Sequence, residues 1–397
     1  MLPLEEVRAH VIERCPPRAP RPVPVADALG LVTAVDVVAS EAIPPFPNTA
    51  MDGFAVRAGD THGAPVTLEI IETIPAGHAP ERTVGPGQAS RIMTGAIIPD
   101  GADAVVMVER TSADGDQVEV EIEVPEGNHV RPAGDDIQPG DLVFPAGTEL
   151  SAGGLGVLAS LGLTEIEVYP RPRVGVMSTG DELVDDGGPL APGQIRDSNR
   201  RTLLSLLEGV GVEAVDLGLA RDDEDVIEQA LMNGASTCDA LVTSGGVSMG
   251  DFDYVKAVLQ RIGDMRWMQV AIKPAKPLAF GTIGDVPVFG LPGNPVSSMV
   301  SFELFARTGL RSMMGHTNPV RATVTGVAGE ELGRRPDGKT HFLRVQATHE
   351  AGQIVVRSAG GQGSHMLWAM AKANALAVVP DGDGCTAGDA VEVLLLD

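Results

Sequence analysis

Between Arg173 and Met314 the chain alternates two textures, and that alternation constrains its fold more than any other feature. Short apolar runs (RVGVMST, VEAVDLGLA, ALVTSGG, VPVFGLP) are interleaved with segments of helical period: residues 198–207, DDEDVIEQALMNG, DYVKAVLQRIG and the long NPVSSMVSFELFARTGLRSMM. Strands joined through helices at this interval give a mostly parallel, doubly wound sheet. Ligands of such sheets bind in the crevice at the carboxyl ends of the strands. The stretch Cys238–Ser298 delivers three clusters rich in Gly, Ser, Pro, Lys and Asp to that edge: TSGGVSMGDFDY, IKPAKP and LPGNPVSS. It is predicted to bind a polar, phosphorylated ligand.

Each cluster has its own chemistry. In STGDE, Ser178 and Thr179 offer hydroxyls to a phosphate or ring, and Glu182 is one of two adjacent acids able to hold a metal; the same residues also read as an ordinary turn with a helix cap. In TSGGVSMG, Ser244 and Ser248 flank Gly245 and Gly246, which let a ligand approach the backbone. The spacing is neither a Walker loop nor a dinucleotide fingerprint. Asp253 follows, as a helix cap or as an acid facing the site. Lys273 and Lys276 each precede a proline, which predicts an extended segment gripping an oxyanion. Pro292, Gly293, Asn294 and Pro295 form a strand-to-helix turn, with Asn294 as cap and Pro295 first in the helix.

The flanking sequence has a different texture. Residues 43–142 alternate in short segments (VTLEIIETI, ASRIM, ADAVVMVER, QVEVEIEV) and predict a mostly β insertion domain. Within it a proline-rich turn around Phe46 presents Asp52, the loop MTGAIIPDGAD carries Thr94, and Asp135 and Asp136 stand between Gly134 and Pro139. Residues 1–42 with 143–170 are assigned to a small linking domain, 171–317 to the α/β domain, and 318–397 to a C-terminal β-barrel. Asp222 or Asp223 caps the helix that Gly234 ends. In the last domain Arg344 reads as an exposed strand cation and Ser364 as the cap of SHMLWAMAKA.

The net charge of −25 excludes a nucleic-acid backbone or an anionic membrane as the main partner, since both need a basic face. An anionic ligand then requires cations gathered locally or a divalent metal. Of 29 basic residues five are lysines, and Lys256, Lys273 and Lys276 fall in the stretch already singled out. Three widely spaced cysteines predict reduced thiols in a cytoplasmic protein. The first residues lack the pattern of a signal peptide, and no apolar run reaches the ~20 residues of a membrane span.

The ordered set TAMDGFAV, IMTGAIIPDGADAVVMVE, STGDEL, TSGGVSMGDFDY, AIKPAKPLAFG, GLPGNPVS and GSHM resembles the molybdopterin molybdenumtransferase family, which includes bacterial MoeA and the E domain of gephyrin. The resemblance covers nearly the whole chain. It implies an elongated four-domain homodimer that inserts molybdenum from molybdate into adenylated molybdopterin and releases AMP in a Mg²⁺-dependent step, with the cleft shared between subunits. Carried over by motif, Asp52, Thr94, Asp136, Glu182, Asp222, Asp253 and Lys273 would be catalytic, with Glu182, Asp222 and Asp253 holding Mg²⁺. Lys273, Arg344 and Ser364 would bind molybdate or substrate phosphates, and Pro292 and Pro295 would shape the pocket floor. A molybdopterin adenylyltransferase is an implied partner. One position departs: Gln269 stands where some members carry lysine, and Lys276 supplies charge nearby. Two rival readings are weighed, a molybdopterin adenylyltransferase and a non-catalytic gephyrin-like scaffold. The β-rich domains on either side argue against the first, and the full set of acids with Lys273 argues against the second.

Overall fold

Strands apolar at nearly every position must be covered on both faces. Arg173–Thr179, Ala240–Ser244 and Val286–Leu291 are of this kind. In the computed structural model, which describes residues 1–245 and 254–396, they form the middle of a six-stranded sheet. Its order is Glu213–Ala220, Arg173–Thr179, Ala240–Ser244, Val286–Leu291, Pro277–Ile283, Asp264–Gln269. The first four strands are parallel, Pro277–Ile283 runs against them, and Asp264–Gln269, antiparallel to that strand, runs with the first four again, so the sheet is mostly parallel as expected. Register puts Val176 beside Val242 and Val242 beside Phe289, one apolar layer across three strands.

Helix Asn199–Val210 and the helical residues 295–313 cover one face through Leu203, Leu207, Val300 and Leu310. Glu224–Thr237 and Tyr254–Ile262 cover the other through Ile227, Leu231 and Val258. The Asp223 carboxylate caps Glu224–Thr237 by accepting from the N–H groups of Asp225 and Val226, both at 3.0 Å. Gly234 does not end this helix, contrary to the sequence reading. A Cβ there would lie 2.8 Å from Leu217 Cδ1 and 3.0 Å from Leu241 Cδ2, so the glycine permits close packing on the sheet. Residues 295–313 are helical throughout but include a π-turn at Phe302–Ala306. There Glu303 is buried within reach of Arg307 and Arg321.

The first helix, Leu4–Glu13, packs Val7 and Val11 into the α/β core, and Gly309 leaves space for it. The linking unit expected over 1–42 and 143–170 is thus divided by packing. Strands Arg21–Pro24, Val32–Thr33 and Glu165–Tyr169 make their own small sheet around Val25, Leu31, Leu158 and Val168. The insertion is a six-stranded sheet in the order Ala104–Met107, Gly53–Val56, Gln88–Ile92, Val66–Ile74, Gln117–Val120, Thr111–Asp114. Its apolar residues form two clusters, one around Phe54 and Val118 and one around Ala55 and Ile92. At the C-terminal end Thr323–Ala328, Thr340–Glu350, Gln353–Ser358, Ala375–Val379 and Ala390–Leu395 close into a five-stranded barrel, because Thr340–Glu350 pairs with both Gln353–Ser358 and Ala375–Val379. Among the described residues no helix is long and apolar enough to cross a membrane.

Candidate active site

Thr179, Ser244 and Gly293 stand at or just beyond the carboxyl ends of three adjacent parallel strands, and they border a cleft of about 320 Å³. Gly245 turns the chain out of its strand with φ 96°, a conformation that disfavours any side chain. A Cβ on Gly293 would lie 3.8 Å from Gly245 Cα, so the two turns touch. Pro295 opens the following helix with Asn294 at its cap position, as predicted, although the Asn294 side chain makes no capping bond. Pro292 is buried beneath this turn. Gly246, Ser248 and Asp253 lie outside the described residues.

The two hydroxyls of Ser178 and Thr179 part ways, because neighbouring residues on a strand face opposite sides. Thr179 lines the cleft. Ser178 is fully buried and donates to Asp197 Oδ1 at 3.2 Å. Asp197 is itself bound to Arg200, whose Nε lies 3.0 Å from Asp197 Oδ2. The Arg200 guanidinium also reaches Asp216 at 2.6 Å and Asp185 at 2.5 Å. One buried arginine therefore fixes the loop after STGDE to the neighbouring helix and strand. Burial pulls its pKa down, but the hydrogen bonds and charges of Asp216 and Asp197 together hold it above the ordinary arginine value.

The acids divide between two depressions that share Leu183. Glu182 lines the first cleft, its carboxylate folded over Gly180 where a Cβ would meet Oε2 at 2.5 Å. Asp222 lines a second, more polar cleft of about 660 Å³ together with Asp181, Asp185 and Arg221. Asp222 and Asp181 are tied reciprocally, each backbone N–H donating to the other's carboxylate at 3.3 Å. Among the described residues no three His, Cys, Asp or Glu side chains form a cluster that could hold a metal ion.

The barrel supplies the remaining wall. Arg344 is 1% exposed, so the sequence reading of an exposed cation is corrected. Its Nη2 donates to the carbonyls of Gly361 at 2.8 Å and Gly363 at 3.2 Å. The Gln362 side chain closes on the Arg344 backbone, accepting from its N–H and donating to its carbonyl, both at 3.0 Å. These bonds shape the glycine-rich loop that carries Ser364 and His365. The Ser364 carbonyl accepts from Val296 N–H at 3.1 Å, latching the loop to the helix at Pro295, and His365 enters the cleft lining.

Lys273 and Lys276 are both exposed. Lys273 lies on the two-residue strand Ile272–Lys273, which pairs in parallel with Thr340 and His341 of the barrel. The segment after it is not extended as predicted: the Lys273–Pro274 peptide is cis and Ala275 adopts φ 74°, so the chain turns between the two lysines.

In the insertion, Asp52 and Thr94 meet. Asp52 Oδ1 accepts from Thr94 N–H at 2.6 Å and from its hydroxyl at 2.7 Å. The backbone bond first, and the side-chain bond second, hold the Asp52 carboxyl below the ordinary carboxylate range. Asp136 is exposed, with its N–H bonded to Ile43 O at 3.0 Å. None of these three lines the α/β cleft of the same chain.

Sequence reasoning missed Asp197, Asn199, Arg200 and His365. The first three sit in RDSNR at a helix start, where Asp, Ser and Asn read as capping residues. His365 follows a serine that itself reads as a cap; the structure corrects that reading, since the helix Leu367–Lys372 has Met366 at its cap position and Ser364 instead serves the latch to Val296.

The fold and the cleft define a recognisable class. The family model described as "Probable molybdopterin binding domain" matches residues 175–312, "MoeA N-terminal region (domain I and II)" matches 2–162, and "MoeA C-terminal region (domain IV)" matches 333–396. The chain is 38% identical to a molybdopterin molybdenumtransferase of Haemophilus influenzae over 99% of its own length and 98% of that protein. It is 41% identical to molybdopterin molybdenumtransferase 2 of Mycobacterium tuberculosis, over 95% of this chain and 94% of that one. The crystal structure of a molybdopterin biosynthesis MoeA protein from Pyrococcus horikoshii superposes with a TM-score of 0.82 at 29% identity, covering 100% of both chains. The chain belongs to the molybdopterin molybdenumtransferase (MoeA) family.

Proposed function

We propose that this protein inserts molybdenum from molybdate into adenylated molybdopterin and releases AMP, as a step of molybdenum cofactor biosynthesis. The observation that carries this reading is the cleft at Thr179, Ser244 and Gly293, bordered by His365 of a barrel loop. A hydroxyl- and glycine-built crevice suits a phosphate-bearing ligand. The family membership narrows that ligand to a molybdopterin. The rival reading of an adenylyltransferase is disfavoured because the match extends over the insertion and the barrel. A purely non-catalytic scaffold is disfavoured by the names of the full-length relatives.

In this reading Lys273 and Lys276 hold the oxyanion, molybdate or phosphate. Arg344 acts through the loop it shapes, which sets Ser364 and His365 against the cleft. Glu182 and Asp222 are the described residues that would hold Mg²⁺. Both carboxylates suit a hard divalent cation by chemistry, but they line separate clefts and no three acids cluster among the described residues, so phosphate oxygens of the ligand would have to complete the ion's shell. When bound, the ion would neutralise charge on the phosphoanhydride.

A second copy of the chain would complete the site. Asp52, Thr94 and Asp136 lie off the cleft of their own chain, and apolar residues are exposed on the linking segment, where Val38 and Leu142 are cross-strand partners at 53% and 54% exposure. The free cysteines suit a reducing cytoplasm, and a molybdopterin adenylyltransferase would supply the substrate. The test is Lys273→Ala. Its side chain is exposed, so the variant should keep its melting temperature and lose molybdenum insertion in a reconstitution assay with purified adenylated molybdopterin. Insertion at the wild-type rate would sink the assignment.

A further inference from the structure

Asn199 opens the helix Asn199–Val210, and its side chain reaches across the crevice. Its Nδ2 lies 2.7 Å from the Gly293 carbonyl oxygen and 2.8 Å from Ser244 Oγ. The identity of that atom is forced, because the Gly293 carbonyl has no hydrogen and can only accept. The amide therefore spends one N–H on Gly293 and the other on Ser244. An amide nitrogen does not accept, so Ser244 Oγ is the acceptor in this pair, and its own hydrogen is left to be donated elsewhere. Ser244 is 3% exposed, lines the cleft, and has no acceptor for that hydrogen among the described residues.

We propose that Asn199 is a positioning residue which makes Ser244 a hydrogen-bond donor to a phosphate oxygen of the ligand. The same amide occupies the Gly293 carbonyl, an acceptor that would otherwise confront the anion. Together the two bonds turn a stretch of the crevice from mixed polarity into a donor surface. They also fix the separation of the two touching turns. This inference rests on the proposed function for the identity of the ligand, while the direction of the two bonds follows from their chemistry alone.

The discriminating substitution is Asn199→Asp, nearly the same shape but acceptor-only. A carboxylate there would capture the Ser244 hydrogen and face the Gly293 carbonyl with negative charge. Binding of AMP and of adenylated molybdopterin to the full-length protein would be measured by calorimetry, beside thermal melting. For Asn199→Asp we expect affinity about ten- to a hundredfold weaker, the range of one hydrogen bond to a charged group. Ser244→Ala should weaken binding to a similar degree. In the Ser244→Ala background most of the Asn199→Asp effect should vanish, because the group it acts through is gone. A merely structural tether predicts additive losses that track melting temperature, and that result would overturn the proposal. So would unchanged affinity in either single variant. Failure of the wild-type protein to bind either ligand would reject the proposed function, and the inference with it.

Discussion

At the scale of single residues, chemistry was legible where it depends on residue type and hidden where it depends on orientation. Lys273 stood out because lysines are scarce, and it is exposed beside the barrel. Arg344 was equally visible as a cation, yet it is buried and donates to two carbonyls instead of facing solvent. The pairing of Asp52 with Thr94 could not be read from a separation of 42 positions. It leads to a pH prediction. The Asp52 pKa is depressed, so the pair stabilises the fold above the unfolded aspartate value of ~3.9, and that contribution is lost as pH falls through the lower folded value. Thr94→Ala removes the hydroxyl bond but keeps the backbone one. The Asp52 pKa, followed by carboxyl carbon resonance, should rise part of the way to its ordinary value. A pKa unmoved by the substitution would mean that the backbone N–H alone sets it.

At the scale of elements, the helices and strands of 173–313 were readable because their apolar periodicities differ and each is bounded by turn residues. Boundaries were less so. Gly234 was read as a stop because glycine commonly ends helices, but it serves close packing on Leu217 and Leu241. Gly234→Ala therefore sets two effects against each other. Helix propensity favours alanine by about 1 kcal/mol. Crowding against two side chains on the sheet costs about 1–3 kcal/mol. The expected outcome is net destabilisation, seen as a lower urea midpoint with an unchanged slope. A higher midpoint would show that Leu217 and Leu241 yield at little cost. The π-turn at Phe302–Ala306 had no signature in the sequence, since the FELFA segment is as consistent with an α-helix.

At the scale of the whole molecule, the α/β layer and the barrel are joined by contacts between residues distant in sequence. Glu303, 4% exposed, accepts from Arg321 Nε at 3.0 Å, and Arg321 Nη1 donates to Leu395 O at 2.8 Å. One carboxylate thus links the helical residues 295–313, the segment entering the barrel and its last strand. Glu303→Ala leaves Arg321 and the partly buried Arg307 without their acid. A loss of about 3 kcal/mol is expected from a broken buried pair, measured by chemical denaturation. A loss within a few tenths would show that Arg321 is held by the Leu395 carbonyl alone.

The sequence by itself determined the alternation of strand and helix, the edge where the polar turns gather, and the residue types available there. Those follow from local periodicity and turn chemistry, which neighbouring residues carry. Tertiary structure decided which of those residues work together. It turned Ser178 into the core and Thr179 into the cleft, placed Arg344 behind the loop it shapes, and brought Asn199 between Ser244 and Gly293. Strand register and the packing of helices on the sheet set those contacts, and both join residues that local patterns treat as unrelated.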